Sequence, residues 1–277
     1  MIIKLAGEAC DWFPLSITRH NDPTICYYKL RLLTDFGMRK HDLKLSDIIK
    51  KAARHKENNL FAVRVCIPEE TTGFPKADPH ADEWHALPCD SPLITYILLK
   101  LGYNSKEVLQ TVDTLRDKWN SPQGWFCNFA FVKNFYKKLQ VPCQMAGLYA
   151  LEVFSLVPEL KESAAARNAF APIAFHKDYG KSMYYFGRSK KFWTFKYPFI
   201  WYNAFYLAEV LTRFNFLKTG SVVKELITWI QKSQDADGRF TPTSMFRPYR
   251  EWEFADKKRA SGWITFLCCR ILKRYYG

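Results

Sequence analysis

No apolar stretch of the 277-residue chain approaches the ~20 residues needed to span a bilayer. No membrane span is therefore expected. Met1–Cys10 carries an acid and only a short apolar run, which is not the pattern of a secretory signal. The eight cysteines are irregularly spaced, and several fall on helical faces, among them Cys26, Cys268 and Cys269. That pattern argues against a disulfide framework and for a reducing, cytoplasmic setting. Also missing are a Gly-x-x-x-x-Gly-Lys phosphate loop, a dinucleotide glycine fingerprint and a His-Glu-x-x-His helix, so nothing points to those nucleotide and metal chemistries. No proline- or glycine-rich linker divides the chain, and residues 1–277 read as one domain with a large core. The one long irregular loop is 67–88, punctuated by Pro68, Pro75, Pro79 and Pro88.

What is present is a phrase that recurs five times, with starts at Pro23, Pro92, Pro142, Pro198 and Gly262. Two residues on stand Ile25, Ile94, Gln144, Ile200 and Ile264; four on stand Tyr27, Tyr96, Ala146, Tyr202 and Phe266; nine on stand Leu32, Leu101, Leu151, Leu207 and Ile271. The third copy departs at Gln144 and Ala146. At about 100° per residue, the second and ninth positions lie within about 20° of one another and the fourth points roughly 160° away. Helices apolar on two opposite sides belong in an interior, because a surface helix needs a single apolar stripe. Proline suits a first helical turn, and Asn21-Asp22 and Asp90-Ser91 are N-cap candidates.

Between these lie one-sided, charged stretches at Leu45–His55, Lys106–Trp119, Glu162–His176 (interrupted by Pro172) and Ser221–Gln234. Alternating interior and exterior helices predict an all-α fold, either a solenoid or a closed (α/α) toroid of about five to six helical hairpins. Two exterior helices end in related turns: Ile230, Gln234, Gly238 and Phe240 in one, Leu115, Trp119, Gly124 and Trp125 in the other. These turns resemble degenerate forms of the glutamine-tryptophan motif of the prenyltransferase and squalene-oxidase repeat family, which includes triterpene cyclases and the β subunits of protein prenyltransferases. Phe240 stands where that motif has tryptophan, and Trp119 where it has glutamine. The likeness extends from about Pro23 to Ile271 and implies a terpenoid cyclase-like toroid. The family's chemical signatures are absent: no Asp-x-Asp-Asp acid motif, no Asp-Asp-x-x-Asp run, no Asp-x-Cys zinc pair, and no Cys-His-Gly element of the lanthionine-forming cyclases, another toroid family.

In such a toroid the starts of the interior helices share one rim. Asp90, Lys196, Tyr197, Trp201, Trp252, Lys257, Lys258 and Trp263 collect there as candidate ligand-binding residues, with Tyr27, Tyr96, Tyr202 and Phe266 lining the lumen. His85, Cys89, Cys127 and Cys143 are zinc-ligand types on the same rim, although their spacing matches no compact finger, and buried thiols are the simpler reading. No other cofactor is indicated. Asp235 and Asp237 read as turn residues, and the aromatic, basic stretch Gly180–Arg188 as a loop able to stack a flat ligand.

Aromatic residues at 17% and nine tryptophans suit either an aromatic-lined cavity for an apolar ligand or the filling of space between helices, and the family resemblance implies that such a ligand is isoprenoid or pyrophosphate-bearing. Catalysis is left open by the missing motifs, which favour a noncatalytic interaction scaffold as the alternative. The net charge of +14 permits an anionic small molecule and, ranked last, nucleic acid, but the lysines and arginines are dispersed as on a solvated exterior. Oligomeric state is not legible.

Overall fold

A computed structural model describes residues 2–9, 17, 20–42, 45–64, 84–121, 124–126, 142–179 and 189–277. Most of these are helical, as the periodicity predicts. Contacts divide the chain into two compact units, Met1–Pro172 and Ile173–Gly277.

The first unit contains α1 (Ile2–Ala9), α2 (Cys26–Asp35), α3 (Leu45–Arg54), α4 (Asp90–Lys100), α5 (Lys106–Asn120), α6 (Gln144–Phe154) and the first half of α7 (Ala164–Tyr179). Three of the five repeated phrases form α2, α4 and α6, which pack in sequence: α2 against α4, and α4 against α6. Every residue of α6 is buried, and α4 is buried from Asp90 through Leu98. Those helices have no solvent face, as two opposite apolar stripes require. By contrast α5 buries Val108, Thr111, Val112, Leu115 and Trp119 and exposes the rest of its surface, with Ser105 capping its start by accepting from the Val108 amide at 3.4 Å.

A close approach fixes α6 against α7. A Cβ on Gly147 would stand 2.2 Å from the Ala169 carbonyl oxygen, so only glycine lets these backbones meet. The chain continues through Pro172 inside α7, where the sequence pattern had implied an interruption. Trp119, fully buried, packs on Gly124, whose φ of +66° turns the chain after α5.

Strand content in the described residues is small. β1 (Lys56–Glu57) and β2 (Leu60–Phe61) form a hairpin around Asn58-Asn59, both at positive φ, as the twist of a two-residue hairpin turn demands. β3 (Val63–Arg64) pairs with β4 (Trp84–His85). The end of the expected irregular loop 67–88 is therefore a strand, held by pairing to β3 and by the stacking of Trp84 on His55 at 3.5 Å. Residues 65–83 lie outside the described residues.

The second unit holds α8 (Ala204–Leu211), the short α9 (Asn215–Lys218), α10 (Ser221–Lys232) and α11 (Gly262–Tyr276). α8 is buried on all sides and packs on α10 and α11. It begins at Ala204, not at Pro198, because the Asn203 side chain caps it by accepting from the Tyr206 amide at 2.9 Å. Pro198, Ile200 and Tyr202 thus precede the helix. α11 starts at Gly262 as expected, capped by Ser261, yet it buries one face only, through Ile264, Leu267, Cys268 and Ile271. Phe266 stands on the other face and is 51% exposed. In the turn after α10, Gly238 has φ +77°, Gln234 Nε2 donates to the Gly238 carbonyl at 3.0 Å, and buried Phe240 meets Phe195 edge-on. Asp235 serves that turn, accepting from the amides of Asp237 and Arg239. Among the described residues no helix is long and apolar enough to cross a membrane.

Candidate functional site

The starts of α2, α4 and α6 bring together a buried polar cluster. Asp90, the first residue of α4, is 1% exposed. Its Oδ1 accepts from the Tyr27 hydroxyl at 2.7 Å and lies 3.2 Å from His20 Nδ1, and Oδ2 is also 3.2 Å from that nitrogen. The residues predicted as an N-cap pair, Asp90 and Ser91, instead sit within the first turn, with Cys89 in the cap position. Asp90 turns its carboxyl to α2 rather than to its own helix. Asp22 likewise serves a local turn, accepting from the Thr24 amide and hydroxyl. The Tyr28 hydroxyl donates to the His20 carbonyl and meets Tyr149 at 3.2 Å, anchoring the backbone that carries the imidazole.

Cys143 occupies the cap position of α6 and remains partly accessible. Its neighbour across the helix starts is Cys89, whose thiol hydrogen-bonds to it. That bond is the largest influence on Cys143. Burial opposes it, but the amides of Ala146 and Met145 and the charge of His20 act in the same direction, and the thiol is brought down to about 7. For His20, burial disfavours the imidazolium; the charge and hydrogen bond of Asp90, with a contribution from Cys143, outweigh it and raise the imidazole. Burial first, then the charge of Asp90, push the Tyr27 hydroxyl well above its ordinary value, so it stays a proton donor. The cysteine and the histidine therefore support one another's charged forms, and the Asp90 carboxylate supports that of the histidine.

Beside this trio, hydrogen-bonding capacity is unused among the described residues. Gln144, adjacent to Cys143, is fully buried, and neither its Oε1 nor its Nε2 has a partner; the buried Ser91 hydroxyl has none either. Leaving such groups unmatched costs about 1–3 kcal/mol each, a cost that a bound polar group would relieve. Deeper in the same unit, Arg31 Nη2 donates to Glu152 Oε1, both groups essentially without exposure, and the guanidinium lies 5.5 Å from the Tyr96 ring centre.

Of the residues expected to line a lumen, Tyr27 and Tyr96 are covered by protein, at 0% and 2% exposure. Tyr27 acts through its hydroxyl. The four expected zinc ligands do not assemble among the described residues. Cys89 and Cys143 meet, but His85 is held in β4, and Cys127 lies outside the described residues. No group of three or more His, Cys, Asp or Glu among the described residues is arranged to hold a metal. His20 was not singled out in the sequence; a lone histidine ahead of a helix carries no signal. Gln144 did leave one, as the polar residue in a column otherwise of isoleucine.

The remaining predicted residues belong to the second unit. Lys196 is half-buried with Nζ 3.6 Å from the centre of the Phe246 ring, and burial, followed by repulsion from Lys191, lowers its amine. Tyr197 is buried edge-on among Phe199, Phe254 and Trp263. Tyr202 is buried against Phe192, whereas Trp201 is partly exposed. Trp252 stacks on Phe254 at 5.3 Å. Lys257 and Lys258 are exposed in a turn organised by Asp256, which accepts from the Lys258 amide and pairs with Arg259. The stretch Gly180–Arg188 lies outside the described residues. Neither a scan against family models nor searches of curated proteins and of solved structures finds a match to the chain.

Proposed function

We propose that the protein is a thiol-dependent enzyme in which Cys143 attacks an electrophilic carbonyl carbon, with His20 as the proton carrier and Asp90 as its orienting partner. The single observation that supports this most is the partly buried His20–Asp90 contact at 3.2 Å, whose imidazole acts by its charge on the Cys143 thiol at the cap of α6, with the unpartnered side chain of Gln144 next in the chain. With Nδ1 engaged by Asp90, Nε2 is the ring nitrogen able to exchange a proton. The thiolate adds to the carbonyl, the leaving group departs with the proton held by His20, and water or another acceptor takes the acyl group from sulfur. Gln144 Nε2 and the first amides of α6 are the donors available to an oxyanion.

The substrate class we carry over from the family resemblance is apolar, an isoprenoid or a related chain, within an (α/α) toroid. Cyclase-type protonation is a poorer fit, because Asp90 accepts hydrogen bonds from Tyr27 and His20 instead of donating one. A second reading, a noncatalytic toroid scaffold, draws its support from the complete coverage of Tyr27 and Tyr96, which leaves those rings no solvent-sized space to line.

The test is incubation with p-nitrophenyl esters of increasing chain length, followed by mass spectrometry of the intact and digested protein. A burst of p-nitrophenolate with acyl carried on Cys143, absent in Cys143→Ala and at least tenfold slower in His20→Gln, is the expected result. Exposed Cys269 is the internal reference thiol. Acylation of Cys269 in preference to Cys143 in folded protein would sink the enzymatic reading.

A further inference from the structure

The second unit contains a cationic cluster that its own carboxylate does not balance. Glu209 of α8 is 1% exposed, and its Oε1 alone receives three guanidinium groups: Arg213 Nη2 at 3.1 Å, Arg270 Nη2 at 2.8 Å and Arg274 Nη1 at 2.9 Å. Arg274 Nη1 also donates to the Glu209 carbonyl at 3.2 Å. Arg270 and Arg274 by themselves thus set two fixed positive charges against one negative charge. Arginine does not relieve such crowding by losing its proton. Burial, together with repulsion from Arg213 and Arg270, disfavours the charged form of Arg274 more than Glu209 restores it. Arg270 and Arg274 keep 34% and 30% of their side chains exposed, so the surplus charge is presented outward.

The surroundings add a shape. Arg270 Cζ stands 5.4 Å from the centre of the Phe266 ring, one turn earlier on α11, and Phe266 in turn meets Trp263 at 5.6 Å. Phe266 is the large aromatic whose 51% exposure breaks the pattern of the buried repeat. A forked cation beside an open aromatic face suits a ligand with an oxyanion at one end and a flat apolar group at the other.

We propose that Arg270 and Arg274, braced by Glu209 and Arg213, form an oxyanion-binding site with Phe266 as its apolar wall, and that its ligand is a phosphate monoester of a planar apolar group. None of its residues belongs to the first unit, and none takes part in the proposed thiol chemistry.

Isothermal titration with phenyl phosphate, inorganic phosphate and benzoate separates the parts of this proposal. Phenyl phosphate is expected to bind most tightly, phosphate more weakly and benzoate weakest. Arg270→Gln, which leaves Arg213 and Arg274 to neutralise Glu209, should weaken phenyl phosphate by about tenfold or more, and Arg270→Lys by less. Phe266→Ala should reduce phenyl phosphate to the affinity of phosphate and leave phosphate itself unchanged. Circular dichroism establishes that each variant is folded; if Arg270→Gln is not, Arg270→Lys and Phe266→Ala carry the test. Cys143→Ala should bind all three ligands as the parent does. No saturable binding of phosphate or phenyl phosphate, or binding indifferent to both Arg270 substitutions, overturns the site. Tighter binding of benzoate than of phenyl phosphate overturns the assignment to phosphate esters, and indifference to Phe266→Ala overturns the apolar wall.

Discussion

Asp90 and Glu209 are both carboxylates at about 1% exposure on helices of the repeated phrase, and they are satisfied in opposite ways. Asp90 takes its hydrogen bonds from a phenol that keeps its proton and from an imidazole whose proton content can change. Glu209 takes its bonds from three guanidiniums, whose charge is permanent at any ordinary pH. The first arrangement makes a site responsive to protons; the second makes a fixed electrostatic field. Arg31 and Glu152 are a third case, an oppositely charged pair buried in the core of the first unit. How a buried charge is matched, rather than its depth, thus decides whether it supports chemistry, attraction or packing.

The largest expected effect breaks the fixed-charge side. Glu209→Ala leaves three arginines against each other in a largely buried setting and should cost about 3–5 kcal/mol of stability, read by chemical denaturation. A loss under 1 kcal/mol would mean that the arginines escape to solvent and that the carboxylate is not organising them.

Next is the proton-responsive side. Asp90→Asn removes the charge that raises His20, so His20 should titrate lower and hold Cys143 less firmly as thiolate. The midpoint for alkylation of Cys143 by iodoacetamide should rise from about 7, slowing labelling at neutral pH by roughly fivefold. An unchanged profile would separate Asp90 from the thiol. The sign in stability is also distinct for the two groups. The raised His20 stabilises the fold fully below 6.5, and that contribution fades as pH rises through its elevated value. The depressed Cys143 stabilises above its ordinary value of 9.0, and its contribution is lost as pH falls through about 7. Opposed slopes around neutrality, seen in denaturation midpoints of the parent but not of Cys143→Ala, would sharpen the contrast with Glu209.

The smallest effect concerns the helix that carries Glu209. Asn203→Ala removes the cap of α8 and should cost about 1 kcal/mol, measured in the same denaturation assay. If Pro198 rather than Asn203 truly initiated the helix, the substitution would be neutral.

Much of this architecture was legible. The spacing of Tyr27, Tyr96 and their neighbours marked helices with two apolar sides, and α4 and α6 are indeed enclosed. The one-sided stretches became α3, α5, α7 and α10 within a few residues of their expected ends. Half of the thiol site could be placed as well, because Asp90, Cys89 and Cys143 stand at helix starts that a repeat aligns. His20 could not, since its role comes from a distance of 3.2 Å across 70 residues of chain. Nor could the gathering of Arg213, Arg270 and Arg274 on Glu209, which follows from α8 packing on α11 and has no counterpart in local spacing.

Periodicity alone determined that this chain makes helices, that α4 and α6 are enclosed, and where a polar residue such as Gln144 interrupts an apolar column, whereas the enclosure it implied for α11 did not follow. These are local properties, governed by backbone geometry and by the separation of apolar from charged side chains over a few turns. Only the tertiary structure decided which acid meets which base, because such pairings depend on contacts between helices distant in the chain and on the desolvation those contacts impose.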